Sequence, residues 1–90
     1  MSNIDDEITD EIFESAFGPE QAIAGSSMVV AVKYDPQALK LRVRFKGNSI
    51  YEYDNVANDL YAAMMAAPSK GTFFWENIRE NPEIPYRRVS

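Results

Sequence analysis

The 90-residue chain has no cysteine and no histidine. Without cysteine there is no disulfide framework, no thiolate zinc site and no cysteine nucleophile. The same absence fits a reducing compartment, and a cytoplasmic location is the expectation. Without histidine the chain lacks the side chain that titrates nearest neutral pH and the commonest metal ligand. Any catalysis would fall to carboxylates, lysine, tyrosine or a bound metal. No apolar run is long enough to span a bilayer, and the N-terminus lacks a basic region followed by an apolar one, so neither a membrane segment nor a secretory signal is expected. Basic residues are missing from the first 27 positions. Asp5, Asp6, Glu7, Asp10, Glu11, Glu14 and Glu20 give that stretch a charge of −7, while nine bases against seven acids give the remainder +2, for a net −5. An acidic leader thus precedes a mildly basic body, and the global charge misdescribes the surface the body presents.

What is present points to one small α+β domain. Ile4, Ile8, Ile12, Phe13 and Phe17 recur at helical spacing with acids between them, so residues 3–17 read as an amphipathic helix, with Asn3 as its cap and Gly18-Pro19 as its stop. Residues 19–27 read as a linker or a short turn of helix. The pattern then changes to period two. Val30, Val32 and Tyr34 mark a strand over about 28–34, and Asp35-Pro36 opens a turn. Leu41, Val43 and Phe45 alternate with Lys40, Arg42, Arg44 and Lys46 in a second strand, which gives it one basic face. After Gly47-Asn48, residues 49–53 form a third. Helical spacing returns at Val56, Leu60, Tyr61, Met64 and Met65 and stops at Pro68. Ser69-Lys70-Gly71-Thr72 opens a last helix carrying Phe73, Phe74, Trp75 and Ile78, which ends at Pro82. A short extended segment through Tyr86 and Val89 closes the chain. The expected architecture is a three-stranded antiparallel meander packed against two C-terminal helices, with residues 1–25 as helical leader and linker and residues 26–90 as the domain.

The turn at Gly47-Asn48 admits two registers. A two-residue turn pairs Arg44 with Tyr51 and Arg42 with Tyr53, placing both tyrosines among arginines on the open face, where they would form a stacking platform for bases. A three-residue loop pairs Val43 with Tyr51, Leu41 with Tyr53 and Arg42 with Glu52. This sets apolar against apolar and joins opposite charges, at the cost of leaving Ile50 outside, and is the favoured register.

The ordered series Ser26-Ser27, Val32-Lys33-Tyr34-Asp35-Pro36, Leu41-Arg42-Val43-Arg44-Phe45, Tyr51-Glu52-Tyr53, Ala67-Pro68-Ser69-Lys70-Gly71, Phe74 and Ile78-Arg79 resembles the KTSC domain. This domain is found at the C-terminus of certain lysyl-tRNA synthetases and as stand-alone small proteins of bacteria and phages. The resemblance runs over residues 26–89. It implies no established activity; the synthetase context implies an association with RNA. The chain departs from the pattern at Val56-Ala57, where Val-Pro is usual, at Trp75, where asparagine is usual, and in a longer connection over 80–85.

Three surfaces are candidates. Ser69, Lys70, Gly71 and Thr72 sit where a helix begins, so free N–H groups and the helix dipole would favour a phosphate; the plain alternative is an ordinary serine cap. Lys40, Arg42, Arg44 and Lys46, with Tyr51 and Tyr53, would meet a nucleic-acid backbone and its bases; the plain alternative is a solvated strand face that discourages edge pairing. The apolar stripe of the leader (Ile4, Ile8, Ile12, Phe13, Phe17) together with Trp75 would meet a protein partner or a second copy. Glu52, Asp54, Asp59, Glu76 and Glu80 show no diagnostic catalytic spacing. The expectation is a non-enzymatic binding module without cofactor or metal, associated with RNA or another nucleic acid, with a protein-interaction or self-associating module as the alternative.

Overall fold

A computed structural model describes residues 19–90. The expected leader helix, with Ile4, Ile8, Ile12, Phe13 and Phe17, lies outside the described residues. Those described form strands β1 (Gln21–Ala22), β2 (Val29–Asp35), β3 (Lys40–Phe45) and β4 (Ile50–Tyr53). Helices α1 (Asn58–Ala66) and α2 (Lys70–Phe74) follow, then a π-helical turn (Trp75–Arg79) and β5 (Tyr86–Arg88). The sheet runs β1-β2-β3-β4-β5, antiparallel throughout.

Local chemistry sets the central meander. The Asp35 carboxylate accepts from the backbone N–H groups of Gln37 (3.0 Å) and Ala38 (3.2 Å), closing the turn after β2. Between β3 and β4 the loop is Lys46-Gly47-Asn48, with Gly47 and Asn48 at φ 90° and 69° and the Phe45 N–H donating to Ser49 O at 2.9 Å. Glycine and asparagine are the residues that enter this left-handed region at least cost. Three loop residues pair Leu41 with Tyr53, Arg42 with Glu52, Val43 with Tyr51 and Arg44 with Ile50. This is the register favoured by matching apolar with apolar.

One face of the sheet therefore carries Val32, Tyr34, Leu41, Val43 and Tyr53, all buried under Val56, Met64, Phe74, Ile78 and Ile84. Tyr34 is fixed at both ends of its ring. It stacks on Tyr61 at 4.2 Å and its hydroxyl donates to Val56 O at 2.6 Å.

The sheet has five strands, not the expected three. β1 is two residues long, too short for period two to register, yet it pairs with β2, and Ile23 beside it is buried. The stretch read as linker or helical turn is thus partly strand. β5 falls in the extended segment expected through Tyr86 and Val89; it is exposed at all three positions and carries no alternation, and its pairing with β4 is what makes it a strand of the sheet. α1 begins at Asn58 rather than Val56, which is fully buried instead. The last helix is not one regular element: α2 passes into the π turn, and the Glu80 N–H reaches back to Trp75 O at 3.1 Å.

Candidate functional site

The described residues among those singled out from sequence fall on two opposite faces. Lys40, Arg42 and Arg44 project from β3 onto the face away from the helices, joined by Arg87 from β5. Glu52 sits opposite Arg42 on β4, its side chain only 3% exposed. Arg42 Nε donates to it at 3.0 Å, Lys40 Nζ lies 3.6 Å away, and Arg87 also pairs with it. Arg87 further meets Asp54 at 3.1 Å, and Arg44 meets Glu20 at 2.9 Å. Burial alone would push the Glu52 carboxyl up, but the Arg42 hydrogen bond and the charges of Arg87 and Lys40 outweigh it and hold the group below its ordinary value. Seen from β3 alone this face is basic; in the folded sheet it is an interleaved charge network. Lys46 leaves the stripe: it lies in the loop and borders the opposite face.

Ser69, Lys70, Gly71 and Thr72 open α2, and each has a local structural part. Ser69 Oγ accepts from the Thr72 N–H (3.4 Å) and bonds Thr72 Oγ1 (2.9 Å). Lys70 Nζ turns back to Ala67 O at 3.3 Å. Gly71 lies against Ser26, whose Oγ would be 2.6 Å from a Cβ at position 71. That same Oγ accepts from Met28 and Val29 N–H groups at 3.2 and 2.9 Å, so Gly71 leaves room for the turn that starts β2. Ser69, Gly71 and Thr72 line a shallow groove with Ser26, Met28 and Trp75.

Trp75 joins that groove to a pocket of about 390 Å³ between the sheet and the π turn, lined by Phe45, Tyr51, Tyr53, Trp75, Arg79 and Tyr86. Phe45 meets Tyr51 edge-on at 5.7 Å; Tyr86 lies 6.0 Å from Tyr51 and stacks on Tyr53 at 5.3 Å. The Arg79 guanidinium lies 4.3 Å from the centre of the Tyr86 ring and 5.5 Å from that of Trp75. Each contact is within the range of cation–π attraction. Trp75 and Tyr86 remain 37% and 42% exposed, so they offer aromatic surface to a ligand. Tyr51 and Tyr53 belong to this side, as the favoured register has it. Arg79 and Tyr86 were not among the candidates. Their signal was weak: Arg79 is four residues from Trp75 in an aromatic helix, and Tyr86 sits in a segment with no alternation.

Tyr53 is fully buried and its hydroxyl has no hydrogen-bond partner among the described residues. Burial pushes its pKa well up, with the Arg79 charge opposing, so it stays protonated. An unpartnered buried hydroxyl is a cost to folding, and Tyr53→Phe is expected to raise stability by about 1–2 kcal/mol. Urea midpoints at constant slope measure this; a loss of stability would mean that the hydroxyl has a bonded water or other partner.

Among the described residues no group of three or more carboxylates is arranged to hold a metal ion, and no helix is long and apolar enough to cross a membrane. The KTSC domain family matches residues 25–81. A crystal structure of a KTSC domain protein from Yersinia pestis matches with a TM-score of 0.69 at 26% identity, over 80% of this chain and 97% of that one. No curated protein sequence matches.

Proposed function

The chain belongs to the KTSC domain family, and from that premise we propose that it is a non-enzymatic binding module that takes unpaired RNA at the aromatic pocket. The observation that carries this reading is the placement of Arg79 against Trp75 and Tyr86, with Lys46 bordering the same pocket. Exposed aromatic rings beside cations are what single strands use. Bases stack on the rings, worth about 1–3 kcal/mol each, while the cations track the backbone. The groove past Ser69 and Thr72 continues the track beyond Trp75. A binding role also suits Glu52. It is the more deeply buried of the two buried carboxylates among the described residues, and with its pKa held down by three cations it is a poor proton acceptor. A cytoplasmic setting, where RNA is available, agrees with the lack of cysteine.

Trp75 is the only tryptophan, so its fluorescence reports this pocket and the groove that adjoins it. Titration with short single-stranded RNA at low salt is expected to change its emission saturably, and more weakly at moderate salt. Tyr86→Ala is expected to weaken binding by about 1–3 kcal/mol. No change at low salt, where phosphate contacts are strongest, would overturn the reading and turn the search to protein partners or a second copy.

A further inference from the structure

The face of the sheet opposite the pocket holds a groove of about 310 Å³. Its apolar lining is Ala31, Val32, Ile50 and Val89, of which Ala31 and Val32 are buried and Ile50 and Val89 offer surface; its cations are Lys33, Arg42 and Arg44. The chain enters the described fold at this place. Glu20 lines the groove and pairs with Arg44 at 2.9 Å, and β1 follows at once as the strand beside β2. Whatever precedes residue 19 therefore leaves from the rim of this groove.

What precedes it has the complementary chemistry. Residues 1–18 carry six acids (Asp5, Asp6, Glu7, Asp10, Glu11 and Glu14) and no base, together with Ile4, Ile8, Ile12, Phe13 and Phe17. Ile4, Ile8 and Ile12 recur four apart, as do Phe13 and Phe17, the spacing that gathers them on one helical face with acids beside them. The length suffices as well. Eighteen residues at about 1.5 Å each reach about 27 Å as a helix, and four strand spacings of about 4.8 Å make a five-stranded sheet about 19 Å across.

We propose that residues 1–18 dock in their own chain's groove, across the open face of the sheet. The isoleucine and phenylalanine side chains lie on Ile50 and Val89, and the acids on Lys33, Arg42 and Arg44. Glu20–Arg44 is the first contact of this interface, already formed. Docking gathers the leader's negative charge beside Lys33, Arg42 and Arg44 and away from Trp75 and Arg79. A chain of net charge −5 can thereby keep a cationic pocket on its other side.

The chain has no native cysteine, so a single one can be labelled without removing others. Thr9→Cys carrying a nitroxide, in the full chain, is expected to broaden the amide signals of Lys33, Arg44 and Ile50 and to spare those of Trp75 and Arg79. Ile12→Asp in the same labelled chain is expected to restore the lost intensity while the spectrum of the sheet stays dispersed. Mixing labelled unenriched chain with unlabelled ¹⁵N chain is expected to leave every signal sharp. Uniform or absent broadening overturns the docking, as does broadening centred on Trp75. Broadening in the mixed sample assigns the groove to a second copy and overturns the intramolecular proposal.

Discussion

Glu52→Gln is expected to lower the unfolding free energy by about 3 kcal/mol at pH 7, the lower end of the cost of breaking a buried ion pair. The lower end applies because the three cations that lose Glu52 are themselves partly exposed, Arg42 at 22% and Arg87 at 53%, and can regain water. Glutamine keeps the shape, so the loss reports charge rather than packing. The pH dependence separates it from other causes. The native carboxyl titrates below its ordinary value of 4.5. Its stabilisation is therefore complete above the unfolded-state value and is lost as pH falls through the native one. The gap in urea midpoint between the two proteins is expected to be full at pH 7 and to close progressively below about pH 4.5. A gap that stays constant to low pH would show that the charge contributes nothing. Arg42, Arg87 and Lys40 reach Glu52 from its two neighbouring strands, so the carboxylate joins β3, β4 and β5 through one group.

Phe74→Ala is expected to cost about 3–5 kcal/mol, the range for truncating a buried aromatic ring. Phe74 is 1% exposed. It meets Tyr53 edge-on at 5.2 Å and Phe45 at 5.9 Å, and its removal leaves the underside of the aromatic pocket without support. A domain of this size holds only a modest margin of stability. At about 4 °C or more of Tm per kcal/mol, calorimetry is expected to show a fall of at least about 12 °C. The neighbouring Trp75→Ala removes a larger ring but an exposed one, and is expected to change Tm much less. Similar losses for the two variants would mean that Trp75, too, is part of the core.

The central hairpin was legible because its residues constrain one another. Only a three-residue loop lets Arg42 meet Glu52 while Val43 and Leu41 meet tyrosines, and Gly47-Asn48 permits that loop. The basic stripe was legible as a pattern and misleading as a surface. The acids that offset it (Glu20, Glu52 and Asp54) come from elsewhere in the chain, and no reading of β3 alone brings them near. The outer strands were less legible for a simpler reason: two residues at Gln21–Ala22 and three exposed ones at Tyr86–Arg88 carry no hydrophobic periodicity, so the last segment reads as extended without showing that it joins the sheet beside β4. The pocket was half legible. Tyr51, Tyr53 and Trp75 stand out as aromatics, but their convergence depends on the π turn setting Arg79 against Trp75 and on β5 delivering Tyr86 from across the helices.

β5 has a kinetic consequence. The other strand pairs are closed by short connections, whereas β5 reaches β4 only after the whole stretch from Asp54 to Pro85, with both helices inside it. Closing so long a segment costs more chain entropy than closing a hairpin. A terminal strand exposed at every position returns little burial for that cost. Its peptide hydrogens should therefore exchange with solvent by partial opening, well before the meander comes apart. One such opening is felt on both sides of the sheet, because Tyr86 leaves the aromatic cluster as Arg87 leaves Glu52. The two faces are thus hinged on three residues, and a ligand that holds Tyr86 in place slows the fraying of the charge network behind it.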